Sequence, residues 1–265
     1  MFSVVIPLYN KELSIESTVQ SILDQSFRDF ELIIVNDGSK DKSLTVVEKF
    51  KDERIRIFTK ENGGECSARN YGIKMAKREW IAFIDADDLW EKDHLFIISQ
   101  LILKYPDKSV FATSIRNTDE EYTNQFVSYV IEDYFVDALK KERIITSSSS
   151  VINKNCFLEV GYFNENYKLG GDLDMWCRLA KKYSFVKSLV YTSLYRLEAE
   201  NRVSLKRCPV ENIRLFNIDL KVAKGSERNY YKYQIIKRIF AYIIKDKNWR
   251  YSLLLIKKYN YQLFI

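Results

Sequence analysis

Three carboxylates fall within four residues of the stretch FIDADDLW: Asp85, Asp87 and Asp88. Like charges about 5 Å apart repel by roughly 3 kcal/mol at an effective dielectric of about 20, so the cluster asks for a cation. Hard oxygen ligands this close suit Mg2+ or Mn2+, which combine carboxylates with water and phosphate oxygens rather than sitting in an all-protein cage. Such an ion relieves the repulsion and bridges to a diphosphate. A structural use competes with this one. Asp88 and Glu91 have the D-x-x-E spacing of a capping box for a helix beginning near Leu89. That leaves Asp85 and Asp87 unexplained. A glycine-rich phosphate cradle is missing, since the chain has no G-x-x-x-x-G-K-[ST] and no G-x-G-x-x-G after its first strand.

The elements that must position these residues alternate. FSVVIPLYN reads as a buried strand, followed by a helix with Ile15, Val19, Ile22 and Leu23 at helical spacing. FELIIVNDGS, RIRIFTKENGG and EWIAFIDADD read as three more strands, with helices KSLTVVEKFK and ECSARNYGIKMAK between them. Alternation of this kind predicts right-handed βαβ units in a mainly parallel α/β sheet. Ligands bind beyond the carboxyl ends of such strands. Tyr9-Asn10, Asn36-Asp37-Gly38-Ser39, Asn62-Gly63-Gly64 and the acidic cluster all sit there. After Pro106 the alternation weakens. SVFATSIR, NQFVSYVI and SFVKSLVYTSLYRL read as strands, DYFVDALKKER and LDMWCRLAKKY as helices, and everything from Pro209 as helical. The expected organisation is a nucleotide-binding half over 1–106, an acceptor half over 107–208 and a helical extension over 209–265. Ser147 to Ser150 form a run of four serines without an evident role.

Composition narrows the class. The 265 residues are 46% hydrophobic, 14% aromatic and 29% charged, with three prolines and eight glycines, which fits a compact chain with few linkers. Cys66, Cys156, Cys177 and Cys208 lie far apart and His94 is the single histidine, so neither a zinc site nor a disulfide framework is expected. His94 itself reads as a solvent-facing bystander. MFSVVIPLYNKE lacks the basic lead of a secretion signal, and no long uninterrupted apolar window suggests a membrane span. A cytoplasmic protein is expected. The net charge of +6 is concentrated at the end, where ten Lys/Arg stand against Glu227 and Asp246 between Lys224 and Ile265.

VVIPLYNKE, LIIVNDGSKD, ENGGECSARNYGI and WIAFIDADDLW, in this order, resemble the nucleotide-sugar domain of family 2 glycosyltransferases, inverting enzymes of the GT-A fold. GYFNENYKLGGDLDMWCRL resembles that family's acceptor-side E-D-x-x-x-W motif. The likeness covers about residues 2 to 205. It implies a Rossmann-like sheet with an antiparallel extension and C-terminal helices. It also implies that Pro7, Tyr9 and Glu12 line a base and ribose pocket and that Asp37 accepts a hydrogen bond from a uracil-type ring. Asn62, Gly64, Arg69, Asp85 and Ala86 complete the donor site, and Asp87 ligates Mn2+ or Mg2+.

Inverting transfer is an in-line displacement, so the acceptor hydroxyl needs one carboxylate as general base. By the same resemblance this is Asp172, with Asp174 as the fallback; an N-cap at Asp172 is the structural alternative. Trp176 either stacks on a sugar or fills the core, and Arg178 reads as structural. Asp88, Glu198 and Trp176 are secondary candidates for metal or acceptor. Two departures stand out. Gly171 replaces the motif's glutamate, and Glu198 in YRLEAEN stands where the family commonly has a histidine. The expected partners are a nucleotide-sugar donor, a UDP-sugar first, and a glycan or lipid-linked saccharide acceptor in bacterial surface-glycan synthesis. The basic segment 225–265 is expected to meet an anionic membrane on its inner face, the alternative being a helical hairpin packed on the catalytic domain or on a second subunit of a homodimer. Nucleic acid is a poor fit. The competing readings are a catalytically degenerate nucleotide-sugar-binding scaffold and, more weakly, a nucleotidyltransferase.

Overall fold

The computed structural model describes residues 1–117, 126–140, 144–200, 208–244 and 247–263. Phe2–Leu8 (β1), Phe30–Asn36 (β2), Ile55–Thr59 (β3) and Trp80–Phe83 (β4) are mutually parallel, in the spatial order β3-β2-β1-β4. Ile15–Leu23 (α1), Ser43–Val47 (α2) and Glu65–Met75 (α3) lie between them in the chain. Both faces of this half-sheet are covered, so the strands are near-continuous apolar runs. Val5, Ile33 and Val35 face one core while Val4, Ile6 and Ile34 face the other. α3 can lie directly on β1 because Gly72 has no Cβ; one there would sit 2.3 Å from Val5 Cγ1.

Pro7 in the central strand β1 is a local exception with a local cause. Val5 O accepts from Ile84 N, so residues of that parity point towards β4. Pairing with β4 stops at Val5↔Phe83. The missing N–H of Pro7 therefore faces a side on which no strand remains, and no ladder bond is lost.

The second half continues the same sheet. Leu89–Trp90 (β5), Val110–Asn117 (β6), Ser128–Ile131 (β7), Ser150–Asn153 (β8) and Phe185–Tyr195 (β9) extend it in the order β4-β8-β6-β9-β5, with β7 also on β9. β8 is antiparallel to β4 and β6, and β5 and β7 are antiparallel to β9. The sheet is mainly parallel with an antiparallel extension, as expected. His94–Lys104 (α4), Tyr134–Lys140 (α5), Cys156–Val160 (α6) and Gly171–Ala180 (α7) pack around it.

Two local expectations fail here. The capping box at Asp88 does not form, because Leu89 and Trp90 pair with Leu194 and Ser193 of β9 and the helix starts at His94 instead. His94 is buried, not solvent-facing. It stacks on Trp90 at 4.0 Å and bonds Thr192 Oγ1 through Nδ1 at 2.7 Å. Burial holds its pKa down to about 3, so it is neutral.

The end of the chain is less uniformly helical than its composition suggests. Short turns over 210–212 and 214–216 precede Gly225–Ile244 (α8) and Trp249–Tyr259 (α9), which pack on each other. No helix among the described residues is long and apolar enough to cross a membrane. Asn124, Gln125 and Lys245, which the sequence places in a strand and a helix, lie outside the described residues.

Candidate active site

The loops leaving β1, β2 and β3 are tied together by the polar residues that terminate those strands. Asn10 adopts a left-handed conformation with φ of 52°. Its Oδ1 accepts the Lys40 N–H at 2.8 Å, and its own N–H donates to Ser39 Oγ at 3.1 Å. Glu12 accepts the Lys42 N–H at 2.8 Å, so in this structure its carboxylate clips the first loop to the second. Tyr9 is half-buried just beyond β1. Asp37 is buried and organises the next loop. It accepts from Lys60 Nζ at 2.7 Å and from the Gly63 and Gly64 N–H groups at 2.9 and 2.7 Å. Asn62 Nδ2 in turn donates to Asp37 O at 2.8 Å. Gly64 has φ of 92°, a conformation that favours glycine, at the entry to α3.

The acidic triplet divides into three environments. Asp85 accepts from Arg69 Nη2 at 2.7 Å. Asp87 lies 2.5 Å from the ammonium of Lys11. Burial, then repulsion from Asp85, pushes Asp87 above the usual carboxylate range against the pull of Lys11. Asp88 turns into the protein, where Ser148 Oγ donates to its Oδ2 at 2.5 Å. Burial raises its pKa well above the usual range, with Asp85 adding to the rise.

Ser148 has a central place in this loop. Its Oγ also accepts the Asp85 N–H at 3.1 Å, and its carbonyl accepts from Trp90 Nε1 and Ser193 Oγ, both at 2.7 Å. The serine run therefore has a use: Ser148 fixes the turn that carries Asp85, Ala86 and Asp87. The turn is held from its other side as well. Thr18 Oγ1 donates to Ala86 O at 3.0 Å and to Asp88 O at 2.9 Å, and the Arg196 guanidinium donates to Asp87 O.

Residues from the second half complete the cleft. A Cβ at Gly171 would lie 2.3 Å from Cys66 Sγ, so the first turn of α7 rests directly on the first turn of α3. This contact explains why position 171 carries no side chain. It also brings Asp172 within electrostatic reach of Glu65 and Arg69. The N-cap of α7 is Gly170, so Asp172 is not an N-cap. It lies half-buried in the first turn, and its carboxylate has no hydrogen bond or ion pair among the described residues. Asp174 is committed to Arg178 at 2.8 Å, and Arg178 also donates to the carbonyls of Val160, Gly161 and Tyr162. Arg178 is structural, as its sequence suggested. Trp176 is fully buried edge-on to Phe163 in the core, and Glu198 is exposed in a turn.

Glu65 was not legible as a site residue. It pairs with Arg69, which is itself buried and bridges to Asp85. Desolvation at the cleft wall raises Glu65 most. Arg69 pulls the other way, and Asp85, Asp172 and Asp87 add to the rise, which brings the carboxyl to about 7 although 40% of the side chain is exposed. Lys11 was missed as well, because its partners Asp87 and the carbonyl of Glu200 are remote in the chain. Glu200 folds back to accept the N–H groups of Leu13 and Ser14, both at 3.1 Å.

The donor set suits a hard divalent cation. Among the described residues no three His, Cys, Asp or Glu side chains are grouped so as to hold a metal ion. Asp87 already has a cation, the Lys11 ammonium, beside it.

Comparison with known proteins places this geometry. The pattern of the family described as Glycosyl transferase family 2 matches residues 3–161. A protein of Rickettsia felis described as an uncharacterized glycosyltransferase is 34% identical over 190 residues, 69% of this chain and 30% of that protein. The minor teichoic acid biosynthesis protein GgaB of Bacillus subtilis is 32% identical over 206 residues, 72% of this chain and 22% of that protein. The chain thus spans less than a third of the length of these two relatives. The crystal structure of S. aureus TarS 1–349 in complex with UDP-GlcNAc superposes with a TM-score of 0.70 at 21% identity, covering 93% of this chain and 74% of that one. That likeness shows the fold.

Proposed function

The chain belongs to glycosyl transferase family 2, with the GT-A fold, and we propose that it moves a single sugar with inversion from a UDP-sugar to an acceptor hydroxyl in bacterial surface-glycan synthesis. One observation carries the reading. Asp172 has a half-buried carboxylate with no hydrogen bond or ion pair among the described residues, within electrostatic reach of Glu65 and Arg69, while Asp85, Asp87 and Glu65 are already engaged with cations. The names of GgaB and of the TarS complex support the substrate class.

Asp172 takes the proton of the acceptor hydroxyl as it attacks the anomeric carbon, and no covalent sugar intermediate is needed. Mn2+ or Mg2+ would be held by Asp87 with Asp85 beside it, and when bound it supplies Lewis-acid stabilisation of the leaving diphosphate. Arg69 pairs with Asp85 and Lys11 with Asp87, which holds both carboxylates in place on the turn. Ser148 and Thr18 preorganise the turn, so little reorganisation is left for the reaction. Pro7, Tyr9, Glu12, Asp37, Asn62 and Gly64 form the wall on which the nucleoside rests.

The scaffold reading has less support, because Gly171 is accounted for by its contact with Cys66. The exposed apolar residues of α8 and α9, among them Phe240, Ile244, Trp249 and Leu253, lie among basic residues. They fit peripheral attachment to an anionic membrane on its cytoplasmic face. Replacing Asp172 by Asn tests the catalytic reading. Sugar release from UDP-sugars should fall about 10²- to 10⁴-fold while UDP affinity stays within about twofold. An unchanged rate would refute the base assignment.

A further inference from the structure

Asp85 and Asp87 sit on one turn, but their cations are of different kinds. Asp85 accepts from Arg69 Nη2 at 2.7 Å. Arg69 also pairs with Glu65, is 2% exposed and lies over the Phe163 ring at 5.5 Å, so it is fixed. The cation of Asp87 is the Lys11 ammonium, 2.5 Å away. An ammonium on a flexible four-carbon stem is a point charge that changes partners more readily than a packed guanidinium fork.

Holding these loops in shape does not require that ammonium. The Lys11 N–H donates to Ser43 Oγ at 2.7 Å, and its carbonyl accepts from the N–H groups of Ser14 and Ile15 at 3.1 and 2.9 Å. The turn that carries Asp87 is held separately, by Thr18, Ser148 and Arg196. A buried ion pair is also weak evidence for stability, because desolvation offsets the attraction. Lys11 Nζ has a second acceptor, the carbonyl of Glu200. Glu200 is anchored independently of the ammonium, since its carboxylate accepts from the N–H groups of Leu13 and Ser14. Lys11 can therefore release Asp87 without becoming unpaired.

We infer that Lys11 is a placeholder cation, which neutralises Asp87 until a divalent ion takes over that carboxylate together with the donor's diphosphate. The inference rests on the transfer reading and deepens it. Two cations on one carboxylate repel each other, so Lys11 disfavours metal binding in the absence of donor. Diphosphate oxygens supply the further ligands that such ions take from a substrate, and these tip the exchange. Lys11 acts through Asp87 and is a positioning residue.

Calorimetric titration of Mn2+ alone into the full chain, at one pH and without nucleotide, measures the competition directly. Lys11→Met, shown by circular dichroism to be folded, should bind Mn2+ about tenfold more tightly than the unaltered protein. Lys11→Arg keeps the charge and should show no such gain. Equal or weaker Mn2+ affinity in folded Lys11→Met, or an equal gain in Lys11→Arg, overturns the inference. The transfer reading survives that failure if Asp87→Asn loses Mn2+. Undiminished Mn2+ binding in Asp87→Asn instead removes the metal ligand of the transfer reading, and the inference falls with it. If Lys11→Met does not fold, a crystal of the unaltered protein soaked with Mn2+ and UDP decides. An anomalous peak on Asp87, with Lys11 Nζ beyond hydrogen-bond distance of that carboxylate, supports the exchange. A peak there with the Lys11–Asp87 bond intact, or no peak on Asp87, overturns it.

Discussion

Glu65 shows how a single carboxylate acquires a function from its surroundings. In the chain it is half of a Glu65–Arg69 pair four residues apart, a common helix-surface motif. In the fold it is desolvated within electrostatic reach of Asp85, Asp87 and Asp172, and its pKa rises to about 7 from the ordinary value of 4.5. The folded state therefore holds this proton more tightly than the unfolded chain does. Its contribution to stability is complete below pH 4.5 and is lost as pH rises through 7. Asp87 and Asp88 are raised too and act in the same direction. In metal-free buffer the protein should lose Tm between pH 5 and 7.5, and Glu65→Gln should lose measurably less. Equal losses in both proteins would contradict the assignment. Asp87 was singled out by the spacing of the acidic cluster and Asp172 by the likeness of its motif to the family's. Glu65, Lys11 and Ser148 were not, since their partners lie far away in the chain.

The first four strands and their helices were legible because burial on both faces writes continuous apolar runs between turn residues. The start of α4 was not. Local capping signals favoured a helix at Leu89, but pairing of Leu89 and Trp90 with β9 overrode them, and no local pattern reports such a pairing. The basic helices were read correctly as helices, but their division of labour needed the fold. α8 buries Tyr230, Tyr231, Ile235 and Ile239 in the main core and leaves Phe240 57% exposed, while α9 leaves Leu253 62% exposed. Deleting both helices would therefore uncover the core. Phe240→Glu combined with Leu253→Glu keeps it intact. Sedimentation with phosphatidylglycerol vesicles should fall severalfold in that variant, with the Tm little changed. Undiminished sedimentation would remove the membrane from the account.

One sheet runs through both halves of the chain, and its parallel strands deliver Asp37, Asp85 and Asp87 to a common edge where α7 adds Asp172. The sequence showed which polar clusters would converge. The contact of Gly171 with Cys66 that seats α7 there depends on packing and left no signal in composition or period. The most direct measurement on the whole molecule is calorimetric titration of UDP with and without Mn2+, in the unaltered protein and in Asp87→Asn. The account predicts that UDP binding requires Mn2+ and is lost in Asp87→Asn. Binding of equal strength without the metal, or undiminished in the variant, would contradict it.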